Sequence, residues 1–296
     1  MRTLKNIAIQ FLNTDSVKSI DAKVLLHEAK ELLQDFKFQS YNKTKKHFGF
    51  SYFAGIDSSS KIIKGNKVDY KTLVLYLLPS EQSGIDVCPF ACLGCRLACL
   101  NSSGRYRLEQ GAVSNGKSKY NRIEVSRLIK TWIVLFRKDI AIAMLDHEIT
   151  AKKAKFEKFA VRLNGTSDLS FYDIIVKHKD VQFYDYTKDP KRFELNNYHL
   201  TFSYSTSNKA RISHYKQAIE RGQNIAFPVI KEDFNRILAL PNTFSMDDTD
   251  LRFLDGKGYG ILIAKENDNI SCGIDNKFIL SFDDFVNVIN MIENWS

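Results

Sequence analysis

The chain has 296 residues, 44% of them apolar and 26% charged, which suits one large globular domain or two small ones and excludes a disordered tail or a coiled coil. Lys and Arg outnumber Asp and Glu by 43 to 34, a formal charge of +9, so an anionic partner such as nucleic acid, nucleotide or phosphate is favoured over a basic one. There is no apolar run of about 18 residues and no secretory h-region, so no membrane partner is expected and the protein reads as cytoplasmic.

Residues 16–37 place Val24, Leu25, His27, Ala29, Leu32, Leu33 and Phe36 at helical spacing, which predicts an amphipathic packing helix. Residues 41–69 mix Lys, Gly, Ser and aromatics without a helical period and predict a loop plus a short hairpin. Lys43, Lys45, Lys46 and Lys61, with aromatics nearby, make either a nucleic-acid contact surface or a solvated basic face. The run TLVLYLLP at 72–79 fits a buried strand of a mostly parallel sheet.

The cysteine segment follows, and after it residues 122–150 read as one long crossover helix without Gly or Pro. Strand-like runs alternate with helix-like ones over 159–164, 172–178, 181–187, 198–205, 209–222 and 224–230, the helical run at 209–222 ending at Gly222, which gives βα alternation. Residues 251–265 read as a hairpin around Asp255, Gly256 and Gly258, and a terminal helix follows Ser281, with Asp283 and Asp284 in its first turn. The expected fold is α/β: a partial TIM-like (β/α) barrel over 71–296, preceded by an N-terminal helix and a basic, aromatic hairpin extension over 1–70.

Of five cysteines, four fall within VCPFACLGCRLAC: Cys88, Cys92, Cys95 and Cys99, separated by three, two and three residues. Five thiols are too few for a disulfide scaffold, and soft thiolates crowded in an intracellular protein point to metal rather than to free thiols. Pro89 and Gly94 favour a loop folded round a centre over an unbroken helix. A structural zinc site prefers two knuckles separated by a longer spacer, which is missing here, so a [4Fe-4S] cluster is the expected cofactor and zinc the alternative. Four ligands would close the cluster, and three would leave one iron open.

RLNGTSD at 162–168 ends an apolar run in a polar turn, where Asn164, Ser167 and Asp168 either contact a ribose, amino or carboxylate group or simply cap the following helix. Asp185 and Lys188 sit at the end of the next strand, Lys188 or Arg192 being suited to phosphate or carboxylate, and Ser203 and Ser205 share one face of the strand after it. These strand ends are expected to converge on one rim beside the cysteine loop. Asp247, Asp248 and Asp250 lack the Gly and distal Glu of a calcium loop and read as a solvated acidic turn; Cys272 reads as a small buried residue. With no metal-spaced histidine pair, catalytic triad or phosphate loop, hydrolase and NTPase chemistry is disfavoured, and no catalytic residue is assigned.

Two resemblances bear on the cysteine loop. CPFACLGC, placed after the first barrel-like strand and before several βα units, is similar to the cluster loop of the radical S-adenosylmethionine superfamily. That likeness implies that Cys88, Cys92 and Cys95 hold a cluster whose remaining iron is chelated by S-adenosylmethionine. CLNSSGR at 99–105, RLNGTSD at 162–168 and FYDYTK at 183–188 resemble the phage gene product 88 family over roughly residues 43–265. This second likeness implies a phage-encoded protein in the host cytoplasm, with Cys88, Cys95 and Cys99 as the essential thiols and Cys92 the spare. Together they suggest a radical S-adenosylmethionine-like enzyme acting on nucleotide or nucleic acid; the rival is a non-enzymatic iron–sulfur or zinc protein that binds nucleic acid in phage replication or host takeover.

Overall fold

The computed structural model describes residues 2–56, 70–99, 105–206, 210–264 and 277–294; Lys61, Cys272 and most of the CLNSSGR motif lie outside them. Two N-terminal helices, α1 (Leu4–Leu12) and α2 (Ile20–Asp35), open the chain, capped by the hydroxyls of Thr3 and Ser19. The α2 core face is Ala22, Leu25, Ala29 and Leu33, whereas Val24 and His27, expected on that face, point to solvent.

Helix α3 (Tyr41–Phe48) replaces the first part of the expected loop. Ser40 caps its start and Gly49, at φ +72°, its end, two local signals that outweigh the irregular composition between them. Strand β1 (Gly55–Ile56) then pairs antiparallel with β2 (Lys71–Val74).

Helix α4 (Leu93–Leu97) lies within the cysteine segment, and beyond it come α5 (Arg105–Ser114), α6 (Arg122–Phe136) and α7 (Lys138–Lys153). The predicted single helix over 122–150 is broken between α6 and α7 at Arg137, whose φ −140° and ψ 63° are not helical. Its guanidinium holds the carbonyls of Leu33 and Phe36 at the end of α2, so a tertiary contact sets a break that periodicity does not show.

Strand β3 (Phe159–Arg162) is followed by α8 (Tyr172–Lys177), as the βα alternation expects. Six residues with two apolar faces fit either state, and the crossover between two parallel strands requires the helix. Then come β4 (Gln182–Thr187), β5 (Tyr198–Ser203), α9 (Ala210–Glu220), β6 (Ile225–Val229), α10 (Phe234–Leu238), β7 (Thr243–Ser245), a 3₁₀ turn at Arg252–Leu254, β8 (Tyr259–Ile263) and α11 (Phe282–Glu293), the last capped by Ser281.

The sheet order is β1-β2-β3-β4-β5-β6-β8-β7, parallel throughout except for β1. The order is consecutive from β1 to β6, as in a barrel, but β8 comes before β7, and among the described residues β1 and β7 are free edges, so the sheet is open rather than closed. The hairpin expected at 251–265 is also corrected: β8 runs parallel to both β6 and β7. Gly258, at φ +137°, lets the chain pass so close to the Asn242 carbonyl that a Cβ would collide with it.

Two apolar clusters cover the sheet. One joins α1, α2 and α3 to α6, α7 and β2–β5 around the fully buried Trp132, whose indole donates to the Ser83 carbonyl at 3.0 Å; the other joins α9, α10 and α11 to β6 and β8. No helix among the described residues is long and apolar enough to cross a membrane.

Candidate functional site

Because strands β2 to β6 and β8 run parallel, their C-terminal ends share one edge, and the segments leaving them enclose a cavity of about 290 Å³. Its wall includes Cys88, Cys95 and Cys99, Arg162 from β3, the turn from Asn164 to Asp168, Tyr186 to Lys188 after β4, Ser203 and Tyr204 after β5, and Pro228, Leu262 and Phe278.

The cysteine loop is stitched to the RLNGTSD turn by backbone bonds. Asp168 N donates to Val87 O at 2.8 Å, Gly165 N to Leu75 O at 3.1 Å, and the Thr166 hydroxyl to Leu77 O at 2.5 Å. Asp86 receives Cys88 N at 2.9 Å and the Arg96 guanidinium at 2.9 Å, closing the loop on itself. Cys88 Sγ lies 3.7 Å from Thr166 O.

The four thiols divide. Cys88, Cys95 and Cys99 line the cavity, and burial pushes the Cys88 thiol up to about 12, with the charges of Cys99, Asp168 and Cys95 adding to the effect and a backbone bond at Ser80 opposing it. Cys92 is not on that wall. It caps α4, accepting from Cys95 N at 3.4 Å; burial raises its pKa, but hydrogen bonds with Ser205, Thr206 and that backbone amide outweigh burial and bring it below its ordinary value. Among the described residues no three His, Cys, Asp or Glu side chains gather closely enough to hold a single metal ion.

The other expected site residues also separate. Asn164 lines the cavity but is spent on folding: its amide donates to Asp185 Oδ2 and Leu169 O, each at 3.0 Å, while its Oδ1 accepts from Ser167 and from Leu169 N. Asp168 accepts from Thr187 at 2.9 Å, Lys188 N at 2.8 Å and Arg192 at 2.7 Å. Asp185 and Ser205 are buried behind the wall, not on it; Arg192, also buried, bridges Asp168 and Asp185 and bonds Tyr198, so it is not available to a ligand. Lys188 and Ser203 do face the cavity.

Arg162, Tyr186 and Asp250 were not singled out as a group by the sequence. Asp250 is a correction: it is buried and accepts from Arg162 at 2.7 Å and from Tyr184 at 3.4 Å, while Asp247 receives Ile263 N at 2.7 Å. Two of the three acids in the expected solvated turn therefore fasten it to the sheet. The only sequence signal was an Arg inside the apolar run of β3, where a charge demands a partner.

Burial pushes the Asp185 carboxyl from 3.8 up to about 6, against the pull of Arg192 and Asn164. The folded chain thus holds this proton more tightly than the unfolded chain. Its contribution to stability is complete below about pH 4 and is lost as pH rises through 6. Urea midpoints from pH 4 to 7 should show Asp185→Asn relieved of up to about 3 kcal/mol of that decline, and parallel curves for the two proteins would refute the assignment.

A family model described as gene product 88 matches residues 42–277, which include the cysteine loop, the RLNGTSD turn and every strand of the sheet. The chain belongs to the gene product 88 family. This membership supports a bacteriophage origin for the protein. No curated protein and no solved structure matches it.

Proposed function

We propose that this gene product 88 protein binds a [4Fe-4S] cluster through Cys88, Cys95 and Cys99 and is a radical S-adenosylmethionine-like enzyme acting on a nucleotide or nucleic acid. The observation that carries the reading is the partition of the thiols: three share the wall of the strand-end cavity, while Cys92 is held by Ser205, Thr206 and the Cys95 amide. Three thiols on one wall, with Cys99 and Cys95 adding to the rise that burial gives the Cys88 thiol, are a donor set that a cationic centre turns into thiolates, and a cluster spreads its ligands more widely than one zinc ion does. We read the open sheet, consecutive from β1 to β6, as a partial barrel whose C-terminal rim is the reaction face.

When bound with one open iron, such a cluster supplies the electron for reductive cleavage of S-adenosylmethionine. The chain's own residues do the rest: Lys188 and Arg162 bring positive charge, Ser203 a hydroxyl, and Tyr204, Pro228, Leu262 and Phe278 an apolar wall that keeps water out.

Anaerobic purification with iron, sulfide and zinc analysis tests the metal, and release of 5′-deoxyadenosine on reduction with S-adenosylmethionine tests the reaction. About four irons and four sulfides per chain, with cleavage, are expected. Colourless, metal-free protein would overturn the proposal. The second reading, a non-enzymatic cluster or zinc protein that binds nucleic acid, rests on the exposed Lys43 and Lys46 of α3 and would be selected by metal without cleavage together with a salt-dependent shift of labelled DNA or RNA.

A further inference from the structure

Arg162 and Lys188 reach the cavity from the ends of adjacent parallel strands, β3 and β4, and are unequally compensated. Arg162 gives Nη1 to Asp250 at 2.7 Å and lies 4.9 Å over the Tyr186 ring, so its guanidinium is fixed, while Nη2 makes no hydrogen bond among the described residues. Lys188 pairs with no carboxylate among the described residues; its ammonium stands 5.1 Å over the Phe278 ring. Of the two carboxylates on the wall, Asp250 holds Arg162 and Asp168 is held by Arg192, Thr187 and the Lys188 backbone.

We propose that Arg162 and Lys188 form an oxyanion subsite that takes the phosphate of a nucleoside monophosphate. This deepens the reading above and rests on it for the nucleotide class. A carboxylate is best met by the two-pronged face of one arginine, but here Asp250 already occupies part of that fork. Nε of Arg162, the other half of its second edge, is buried, so what remains is the Nη2 amino group and one ammonium, arriving from two different strand ends, an arrangement suited to the three oxygens of a phosphate. Next to Lys188 the Tyr204 and Phe278 rings stack with centroids 6.3 Å apart and planes 15° apart, an aromatic wall against which a base packs. A volume of about 290 Å³ lies at the small end of ligand pockets and excludes a helical polymer.

The test is calorimetric titration of the anaerobically prepared full chain with each of the four ribonucleoside 5′-monophosphates, with the matching nucleosides, and with adenosine 5′-carboxylate. At least one monophosphate should bind about tenfold or more tighter than its nucleoside and than the carboxylate, with an affinity that falls as salt rises. Lys188→Gln, a half-buried position, should remove about tenfold of that affinity while leaving nucleoside binding unchanged, and Arg162→Gln should do the same where its circular dichroism matches the parent.

Equal binding of monophosphate and nucleoside overturns the subsite, as does tighter binding of the carboxylate or an unaltered Lys188→Gln titration. Iron measured on the same sample keeps the two readings apart. Absent iron removes the cluster, whereas absent discrimination between monophosphate and nucleoside removes the subsite.

Discussion

Changing Cys88, Cys95 or Cys99 to Ser should reduce bound iron from about four per chain to about one or fewer and abolish the cluster's paramagnetic signal, while Cys92→Ser should keep most of both. The asymmetry follows from where the thiols sit. Cys88, Cys95 and Cys99 face one cavity, whereas the Cys92 sulfur accepts the Cys95 amide at the start of α4. A serine at 92 is itself a good helix cap, so that substitution should leave α4 and the loop in place. Iron analysis and electron paramagnetic resonance on the four single variants decide the matter. If Cys92→Ser lost iron while Cys99→Ser kept it, the ligand set would instead be the one implied by the superfamily's three-and-two spacing, and loss in all four variants would make every thiol a ligand.

Asp168→Ala should cost about 3–5 kcal/mol of stability and lower the melting temperature by on the order of 10 °C. The carboxylate accepts from Arg192, Thr187 and Lys188 N, and Arg192 is buried, so its removal leaves a guanidinium with Asp185 at 3.5 Å as its remaining carboxylate partner and two further donors unsatisfied. Asp168→Asn keeps an acceptor but not the charge, and should lose about half as much. Urea unfolding of the three proteins checks this; an alanine variant within about 1 kcal/mol of the parent would show that water repairs the gap. The contact with Val87 that ties the cysteine loop to the turn is made by the Asp168 backbone N–H and survives the substitution.

How far the sequence could be read depended on whether a signal was local. Caps at Ser19 and Ser281, the apolar run at 72–79 and the Gly222 terminus are written in adjacent residues, and the elements they predict are present in the structure. The run at 251–265 departs from the expected hairpin because a short apolar stretch carries no decisive period; the parallel pairing of β8 with β6 and β7 decided its state. Arg137 ends α6 because it reaches the end of α2, a partner about a hundred residues away.

The same distinction holds at the site. Cysteine spacing and the polar endings of successive strands were enough to locate a rim and to name Cys88, Cys95, Cys99, Asn164, Ser167, Asp168, Lys188 and Ser203, all of which line one cavity. They could not separate wall from support. Asp185 and Arg192 are buried behind the cavity, and Asp250 comes from a distant loop to hold Arg162 at its edge.

The sequence by itself determined which chemical groups are available and the order of elements that carries them, because thiols, caps and hydrophobic periods act over a few residues. Only the tertiary structure decided which of those groups face a common space, because that depends on strand register and on charges that find their partners across the fold.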